Sequence, residues 1–315
     1  MTIAALDIGG TKSITALTDE KGKILDQVTF PSYLPDSYEN LQLCVRELDR
    51  LLEKHGVKRE ELQGIGVSLP GIVDREKGVL LYAPFSKWEN IAVADFLRRE
   101  TGVRRIACEN DVNACAVGEI TFGLGRQYSD FIWMTVSTGV GGAVVADHQL
   151  VRGMNGFAGE LGHLKVEYDH PQPCPCGQKG CLEAHGSGTA LNHLMRERYE
   201  SDSAFAQALH AVGAEMPDGK ACAVLAAAGN KTALEIFETV GMYLGRGIAC
   251  CINILNPQAV VIGGGVSASL SWLMPGIEKA VKECAFHKME APVIVRTPLG
   301  YEAALIGAAA LIVQA

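Results

Sequence analysis

The 315-residue sequence has no apolar run that is long enough to cross a membrane. Its longest apolar runs are Ala221–Ala228 and Ala303–Val313, whereas a transmembrane helix needs roughly 18–20 apolar residues. The N-terminus has no basic region, and Asp7 interrupts its only apolar stretch, so the sequence does not predict a signal peptide. We therefore expect a cytoplasmic protein without a membrane partner.

Positive charge is also scarce, because 28 Lys and Arg residues stand against 36 Asp and Glu residues, which gives a net charge of −8. Proteins that bind nucleic acids normally carry a basic surface that neutralises phosphates. The acidic composition therefore disfavours nucleic acid as a partner, and it disfavours an anionic membrane surface as well. Hydrophobic residues make up 48% of the chain, which excludes intrinsic disorder. The length favours two domains over a single core.

Several motifs of well-known enzyme classes are missing. The sequence contains no Gly-x-x-x-x-Gly-Lys-Ser/Thr, which excludes a P-loop nucleotide site. It contains neither Gly-x-Ser-x-Gly nor His-Glu-x-x-His, so nothing supports a hydrolase of either kind. Gly263–Ala268 match Gly-x-Gly-x-x-Ala after a predicted strand, but they lie late in the chain and their helix starts only after a short linker. A dinucleotide site is therefore not favoured there.

The sequence does contain short β-branched runs that alternate with stretches of helical periodicity, a pattern typical of α/β layers. The predicted strands are Ile3–Leu6, Ile14–Leu17, Lys23–Val28, Gly64–Leu69, Arg105–Cys108, Val260–Ile262 and Val293–Val295. The predicted helices are Leu41–Leu52, Val93–Glu100, Val112–Phe122, Ser269–Ala285 and Ala303–Val313, with further helices between Ser187 and Leu255.

A strand that leads through a glycine-rich turn into a second strand occurs twice. Ile3–Thr11 contains the first such turn, and Phe131–Val145 contains the second, Ser137–Gly142. Turns of this kind expose backbone N–H groups, and their threonines add hydroxyl donors, so that both suit phosphate oxygens. The repetition predicts two similar lobes.

The cysteines are distributed unevenly. Three of the ten, Cys174, Cys176 and Cys181, lie within eight residues. Together with one histidine they would supply three thiolates and one imidazole, which is a ligand set of tetrahedral structural zinc. His163 is the predicted fourth ligand, and His170 is the alternative. The other seven cysteines are scattered along the chain, which is typical of reduced core thiols in a cytoplasm.

Carboxylates occur at two places that suit ligand binding. Glu109-Asn110-Asp111 follows a predicted strand, and ligands of α/β proteins bind at the carboxyl ends of such strands. Asp111 could equally cap the helix that begins at Val112, and one residue can do both. Glu160 and Glu183 flank the cysteine cluster, and on their own they would be ordinary surface charges.

These motifs occur in a single order, namely Asp7–Lys12, Glu109–Asp111, Ser137–Gly142, Gly159–His163, the cysteine cluster with Glu183, and Ile262–Gly265. In that order, and over essentially the whole chain, the sequence resembles the ROK family of repressors, open reading frames and sugar kinases. The resemblance implies the α/β actin-like ATPase (hexokinase/ribonuclease H-like) fold, with two lobes around a cleft and a zinc-binding loop. It implies a smaller lobe of residues 1–120 with the C-terminal helix 301–315, and a larger lobe of 121–300 that carries the zinc loop 163–181.

The resemblance also implies an ATP-dependent hexose kinase that phosphorylates the 6-hydroxyl of a sugar and uses Mg²⁺. Nucleotide and Mg²⁺ binding is expected of Asp7, Gly10, Thr11, Lys12, Thr138, Gly139, Gly264 and Gly265. Sugar binding is expected of Gly71, Asn110, Asp111, Glu160, His163 and Glu183, with Asp111 as the catalytic base. Structural zinc is expected on His163, Cys174, Cys176 and Cys181, so that His163 serves both metal and sugar.

Glucose is the expected sugar, with N-acetylmannosamine, N-acetylglucosamine and fructose as alternatives. The alternatives stay open because Ala83–Trp88 differs from the usual family motif and has Phe85 where the family has an asparagine. The repressors of the family carry a winged helix-turn-helix ahead of the kinase-like body, and here the first phosphate turn starts at Asp7, so we do not expect a repressor. A small-residue stretch near Gly241–Gly247 suggests close helix packing in a homodimer or a higher homo-oligomer.

Overall fold

The computed structural model describes residues 1–84, 86–214 and 216–314, so Phe85 lies outside the described residues. The strands are β1 (Thr2–Ile8), β2 (Lys12–Asp19), β3 (Ile24–Pro31), β4 (Leu62–Leu69), β5 (Ile72–Asp74), β6 (Val79–Ala83), β7 (Trp88–Ile91), β8 (Ile106–Asn110), β9 (Phe131–Val136), β10 (Val140–Ala146), β11 (Gln149–Val151), β12 (Ala259–Gly263) and β13 (Val293–Arg296). The helices are α1 (Ser37–His55), α2 (Val93–Thr101), α3 (Asp111–Phe122), α4 (Leu182–Gly186), α5 (Gly188–Ser201), α6 (Ser203–Ala211), α7 (Gly219–Ala227), α8 (Lys231–Leu255), α9 (Leu270–Cys284) and α10 (Ala303–Gln314). Across the described ranges, no helix combines the length and the apolar character that crossing a membrane requires.

The chain folds into two units. Unit 1 consists of Met1–Ser129, Val144–Ala158 and Thr297–Ala315, and unit 2 consists of Asp130–Ala143 and Gly159–Arg296. Val144–Ala158, which the sequence places in the larger lobe, belongs to unit 1. The lobe boundaries of 1–120 with 301–315 and of 121–300 stay a prediction.

The main sheet of unit 1 has the strand order β3-β2-β1-β4-β8. β1 runs antiparallel to β2 and parallel to β4, and β4 runs parallel to β8. Ala4 and Leu6 of β1 pack into a core that includes α1 and α2, whereas Ile3 and Ala5 pack into a core that includes α10. Successive side chains of a strand point to opposite faces. A strand that helices cover on both faces is therefore apolar at nearly every position.

The strand register brings polar side chains to one edge of this sheet. Asp7 of β1 lies opposite Ser68 of β4, and Leu69 of β4 lies opposite Asn110 of β8. These residues stand at the carboxyl ends of parallel strands, where α/β sheets bind their ligands. The fold of unit 1 thus places Asp7 and Asn110 where a ligand site is expected.

The C-terminal helix α10 packs closely against α3 and β4. A Cβ on Gly66 of β4 would overlap the backbone of Ala308, and a Cβ on Gly307 would overlap the backbone of Ala114 in α3. Because protein interiors are densely packed, a side chain at either position would push the helix outwards. Glycine at these two positions therefore sets how near α10 can come.

The second five-stranded sheet has the order β11-β10-β9-β12-β13. In unit 2, β12 runs parallel to β9 and to β13, and Gly263 at the end of β12 lies opposite Thr135 of β9. β12 is buried along its whole length, as expected of a central strand in a parallel sheet. The sheet brings the glycines after β12 alongside the end of β9.

The small residues of α8 pack within the chain. A Cβ on Gly241 would overlap the carbonyl of Leu273 in α9, one on Gly245 would press on Ile277 of α9, and one on Gly247 would press on Leu182 of α4. These glycines therefore serve close helix contacts inside unit 2. Because these glycines contact helices of the same chain, they no longer indicate a contact between subunits. The homo-oligomeric state stays a prediction.

A small antiparallel sheet of three strands, β5-β6-β7, was not predicted. Its strands alternate little, since β6 exposes two neighbouring residues, Leu81 and Tyr82, and β7 likewise exposes Glu89 and Asn90. The longer predicted elements lie where the sequence placed them. Gly64–Leu69, for example, falls within β4, and Val112–Phe122 falls within α3.

Candidate active site

The first glycine turn joins β1 to β2. Its backbone closes through a hydrogen bond from Gly9 N to Lys12 O (3.0 Å), and its Thr11 carbonyl accepts one from Ser32 N (3.1 Å). The ammonium of Lys12 lies 4.5 Å from the ring centre of Tyr301, whose side chain is exposed. The turn thus carries Gly10, Thr11 and Lys12 on a fixed backbone directly after the buried end of β1.

Asp7 lies just before this turn. Its carboxylate accepts a hydrogen bond from the hydroxyl of Ser68 (2.9 Å). Burial raises the pKa of Asp7, although the Ser68 hydroxyl and the nearby charge of Lys12 counteract the rise. A carboxylate that lacks full solvation gains much from a cation, and its oxygens are ligands that Mg²⁺ prefers.

The turn from β8 into α3 carries Asn110 and Asp111. Asn110 is the N-cap of α3, because its side-chain oxygen accepts from Val112 N (3.0 Å) and Asn113 N (3.2 Å). Its amide nitrogen donates to Gly71 O (2.9 Å) and to the Asp111 carboxylate (3.0 Å). The sequence offered Asp111 as the helix cap. The cap is Asn110, and Asp111 is the first residue of the helix.

Gly71 reaches Asn110 through a backbone conformation that favours glycine. Its φ is +90°, and a Cβ there would overlap the carbonyl of Tyr82 in β6. The Gly71 carbonyl is therefore held against the Asn110 amide by the small sheet. Gly71, Asn110 and Asp111, predicted to share a function, lie together in unit 1.

The surroundings of the Asp111 carboxyl change its pKa. Burial raises the pKa of Asp111 to about 6, and the charge of Asp7 adds to the rise. Hydrogen bonds from Val112 N and from the Asn110 amide act in the opposite direction but are smaller. A carboxyl group with a pKa close to neutrality can take up a proton during a reaction and release it afterwards, as a general base does.

The second glycine turn joins β9 to β10 in unit 2. Ser137 N donates to Gly139 O (2.9 Å), and Val140 N donates to the Glu183 carboxylate (3.0 Å). The Thr138 carbonyl accepts from the hydroxyl of Thr189 (2.8 Å) at the start of α5. A Cβ on Gly139 would overlap the Glu183 carboxylate. Thr138 and Gly139 are thus held between α4 and α5.

Gly264 and Gly265 follow β12. Gly264 has a φ of +82°, and a Cβ on it would overlap the carbonyl of Val136 at the end of β9. A Cβ on Gly265 would meet nothing. Gly264 therefore lets two strand ends approach each other, whereas the space beside Gly265 is open.

The cysteine cluster is assembled in unit 2. One ligand atom each of His163, Cys174, Cys176 and Cys181 lies within 4.8 Å of the others. Cys176 Sγ is 3.7 Å from Cys181 Sγ, and Cys174 Sγ is 3.8 Å from His163 Nδ1. Tetrahedral zinc with Zn–S bonds of about 2.3 Å holds its sulfur ligands about 3.8 Å apart. The donor atoms and their spacing therefore fit zinc.

The structure decides between the two candidate histidines. His163 belongs to the cluster, and His170 does not. His170 is exposed, and its backbone N–H donates to the Glu167 carboxylate (3.2 Å). The loop closes through Cys174 N to Gln178 O (2.8 Å), and a φ of +86° at Gly177 gives the turn its sharp bend.

The two ring nitrogens of His163 face different groups. Nδ1 faces Cys174, and Nε2 lies 3.8 Å from a carboxylate oxygen of Glu160. The other carboxylate predicted to bind sugar, Glu183, lies on α4 with one oxygen 3.9 Å from Cys174 Sγ. Glu160 and Glu183 therefore both lie next to members of the cysteine cluster, Glu160 next to His163 and Glu183 next to Cys174.

The predicted site residues divide between the two units. Unit 1 holds Asp7, Gly10, Thr11, Lys12, Gly71, Asn110 and Asp111, and unit 2 holds Thr138, Gly139, Glu160, His163, Cys174, Cys176, Cys181, Glu183, Gly264 and Gly265. Sequence reasoning missed the contact of Ser68 with Asp7 and the ion pair of Arg152 with Glu109. Ser68 could have been found, because it stands at the end of a predicted strand. Arg152 lies in a loop with no periodic pattern, and nothing in the sequence marks it.

Comparison with known proteins gives one consistent result. The model of the ROK family matches residues 3–315. The chain is 36% identical over 312 residues to a glucokinase of Thermotoga maritima, covering 98% of this chain and 96% of that protein. It is 32% identical over 315 residues to a glucokinase of Halalkalibacterium halodurans, covering 98% and 94%.

Among solved structures, the chain is similar to a ROK family glucokinase from Streptomyces griseus in complex with glucose and AMPPNP. That likeness has a TM-score of 0.85 and 30% identity, and it covers 100% of both chains. The fold is accordingly the α/β actin-like ATPase fold of this family.

Proposed function

The chain belongs to the ROK family and is a sugar kinase, and we propose that it transfers the γ-phosphoryl group of ATP to the 6-hydroxyl of glucose. One observation carries the proposal, namely the half-buried Asp111, whose carboxyl pKa is raised to about 6. It stands beside Asn110 at the carboxyl end of a parallel sheet, where a base for a hydroxyl nucleophile is needed. The glucokinases of similar sequence support glucose as the sugar.

Asp111 is assigned as the base that accepts the proton of the attacking hydroxyl. Phosphoryl transfer needs little covalent chemistry from the protein, so the position of the nucleophile and the charge around it decide the rate. Asn110 is held by Gly71 and by the first turn of α3, which leaves little freedom to the neighbouring Asp111. Asn110, Gly71, Glu160, His163 and Glu183 are assigned to the sugar hydroxyls.

ATP and Mg²⁺ are assigned to the two glycine turns and to Asp7. The backbone N–H groups of Gly10, Thr11, Thr138 and Gly139 would bind phosphate oxygens, and the ammonium of Lys12 would balance their charge. Mg²⁺, when bound through Asp7, would neutralise charge on the transferred phosphoryl group. The open space beside Gly265, with Gly264 before it, is assigned to the adenosine.

Zinc is assigned a structural role. With His163, Cys174, Cys176 and Cys181 as ligands, the site has no open position for catalysis. Bound zinc would contribute folding energy to the loop. His163 Nδ1 would bind the metal while Nε2 stays available for the sugar, which agrees with the way metal-bound imidazoles use their second nitrogen. The loop would thereby hold His163 and Glu183 in place.

A phosphorylation panel tests the proposal. Purified protein with Mg²⁺ and ATP is offered glucose, N-acetylmannosamine, N-acetylglucosamine and fructose, and ADP formation is followed. We expect the highest kcat/KM with glucose. A higher kcat/KM with an N-acetyl sugar or with fructose would support a sugar kinase but would identify that sugar, in place of glucose, as the substrate. No turnover with any hexose, together with sugar-sensitive DNA binding, would refute the proposal.

A cytoplasmic location and a homo-oligomeric assembly complete the proposal. None of the ten cysteines forms a disulfide, which agrees with a reducing cytoplasm. A homodimer or a higher homo-oligomer stays part of the proposal, and light scattering of the purified protein measures it.

A further inference from the structure

The residue before Asn110 takes part in a buried ion pair. Arg152 donates from Nε (3.0 Å) and from Nη2 (2.9 Å) to the same carboxylate oxygen of Glu109. The Glu109 side chain is 5% exposed and the Arg152 side chain is 30% exposed. A carboxylate so far removed from water needs a partner of opposite charge, and Arg152 supplies it.

The other oxygen of Glu109 faces the start of α3. It accepts hydrogen bonds from Asn110 N (3.1 Å) and from the side-chain amide of Asn113 (3.4 Å). Glu109 therefore joins Arg152 on one side to the turn that carries Asn110 and Asp111 on the other. Any displacement of the Glu109 carboxylate is passed to the backbone of that turn.

Arg152 also fixes the loop that follows it. Its carbonyl accepts a hydrogen bond from Ala158 N (3.1 Å), which closes the loop between these two residues. The chain leaves unit 1 directly after Ala158 and continues with Gly159 and Glu160. The side chain of Arg152 thus contacts Glu109 beside the Asn110–Asp111 turn, while its backbone carbonyl closes the loop that ends at Ala158.

We infer that Arg152 is a positioning residue for the sugar, which acts through Glu109 on the orientation of Asn110 and Asp111. The inference rests on the proposed function, since it takes Asn110 and Asp111 as sugar-binding residues. An arginine suits the task because two N–H groups of its planar guanidinium donate to the same Glu109 oxygen, whereas a lysine ammonium would supply a point charge on a flexible stem. If Arg152 is replaced by a neutral residue, the buried Glu109 carboxylate loses its oppositely charged partner. We expect the Glu109 side chain to move towards solvent and to displace the Asn110–Asp111 turn.

A second ion pair in unit 1 provides a matched control. Arg59 donates from Nε (2.7 Å) and Nη2 (2.6 Å) to the Asp49 carboxylate, and its side chain is 32% exposed. It resembles Arg152 in chemistry and exposure, but it touches no residue assigned to sugar or ATP. Breaking this pair measures how much the loss of a half-buried arginine lowers stability when no residue assigned to a ligand is affected.

The experiment compares Arg152→Met, Arg152→Lys, Arg59→Met and the double variant Arg152→Met/Glu109→Gln with the wild type. Steady-state kinetics give kcat and the KM values for glucose and ATP, calorimetry gives the Kd of glucose, and thermal unfolding gives Tm. For Arg152→Met we expect the KM and Kd of glucose to rise about tenfold to a hundredfold, the scale at which small misplacements act. The KM of ATP should stay near its wild-type value. The KM and Kd of Arg152→Lys for glucose should lie between those of Arg152→Met and those of the wild type.

The double variant separates charge from packing. Because glutamine leaves no unpaired charge, Arg152→Met/Glu109→Gln should bind glucose better than Arg152→Met does. Arg59→Met should change Tm without changing the KM of glucose. The inference is overturned if Arg152→Met keeps wild-type glucose binding, or if it raises the KM of ATP as much as that of glucose. If Arg152→Met does not fold, Arg152→Lys decides the same question. A wild type that phosphorylates no hexose would refute the proposed function instead, so the two failures are distinguishable.

Discussion

At the scale of single residues, two carboxyl groups at the end of the first sheet have different surroundings. Asp111 is half-buried, and the loss of solvation raises the pKa of its carboxyl to about 6, with the charge of Asp7 acting in the same direction. The charge that acts on Asp7 has the opposite sign, because Lys12 lowers the pKa of Asp7 and so counteracts burial, as the Ser68 hydroxyl also does. Two neighbouring carboxylates thus have different surroundings, which suits one as a base and the other as a cation ligand.

Replacing Asp111→Asn should remove the base while preserving the shape of the site. We expect kcat to fall by about a hundredfold to ten-thousandfold, the range that general bases contribute, while calorimetry still detects glucose binding. Asp95→Asn is the control, because Asp95 is exposed and forms an ion pair with Arg98 in the same helix. Near-normal turnover of Asp111→Asn would mean that another group accepts the proton.

The pH dependence of the reaction follows from the same carboxyl. A base works only when deprotonated, so the raised pKa of Asp111, about 6, means that activity is present above pH 6 and lost as the pH falls through that value. We expect kcat/KM for glucose to show this loss, since kcat/KM reports groups of the free enzyme. The residual activity of Asp111→Asn should lack it. A wild-type profile that stays flat down to pH 5 would contradict the assignment.

At the scale of elements, strands and helices with strong patterns were predictable. The apolar runs of β1 and β4 and the periodic spacing of α1 show clearly in the sequence, because helices bury these strands on both faces. The sheet β5-β6-β7 was not predictable, since its strands are short and their burial patterns show no clean alternation. The glycines of α8 suggested a contact between subunits, but they pack against helices of the same chain. A sequence shows that one face of a helix carries small residues, but it does not show which element packs on that face.

The zinc loop is the element whose loss should be easiest to measure. We expect about one zinc per chain in the wild type, and its loss in Cys176→Ser, because a structural site binds weakly once a ligand is gone. Activity should fall with the metal, since the same loop holds His163 and Glu183. Elemental analysis measures the zinc.

Cys284→Ser is the control for that substitution, because Cys284 is exposed as Cys176 is and lies outside the cluster. It should keep both zinc and activity. Well-folded wild-type protein without zinc, or Cys176→Ser protein with full zinc content, would show that the cluster does not serve as a zinc site.

The contact between α10 and α3 gives a prediction about stability. Gly307→Ala would place a Cβ against the backbone of Ala114, and overpacking of this kind costs about 1–3 kcal/mol. Denaturant unfolding should show a loss of that size. Gly56→Ala, at the C-cap of α1, is the comparison, because its Cβ would meet nothing and only its φ of +65° is unfavourable. A Gly307→Ala variant as stable as the wild type would mean that α10 can shift without cost.

At the scale of the whole molecule, the sequence allowed more of the site to be predicted than of the contacts that support it. The two glycine turns, Asn110–Asp111 and the cysteine cluster stand out as motifs, and each of them lies within one unit. Arg152 could not be found, because its partner Glu109 lies 43 positions away in the chain. Long-range pairs of this kind depend on how the sheet and its loops fold, and no local pattern encodes them.

The whole reaction can be tested with a sugar that lacks only the accepting hydroxyl. We expect 6-deoxyglucose to inhibit competitively against glucose and to take up no phosphate. It should bind about 5- to 150-fold more weakly than glucose, because an unpaired buried polar group costs about 1–3 kcal/mol and Asp111 would lose its partner. As the control, 2-deoxyglucose keeps the 6-hydroxyl and should be phosphorylated. ADP formation with 6-deoxyglucose at the rate seen with glucose would show that another hydroxyl accepts the phosphoryl group. Phosphorus NMR of the glucose product would then identify that position.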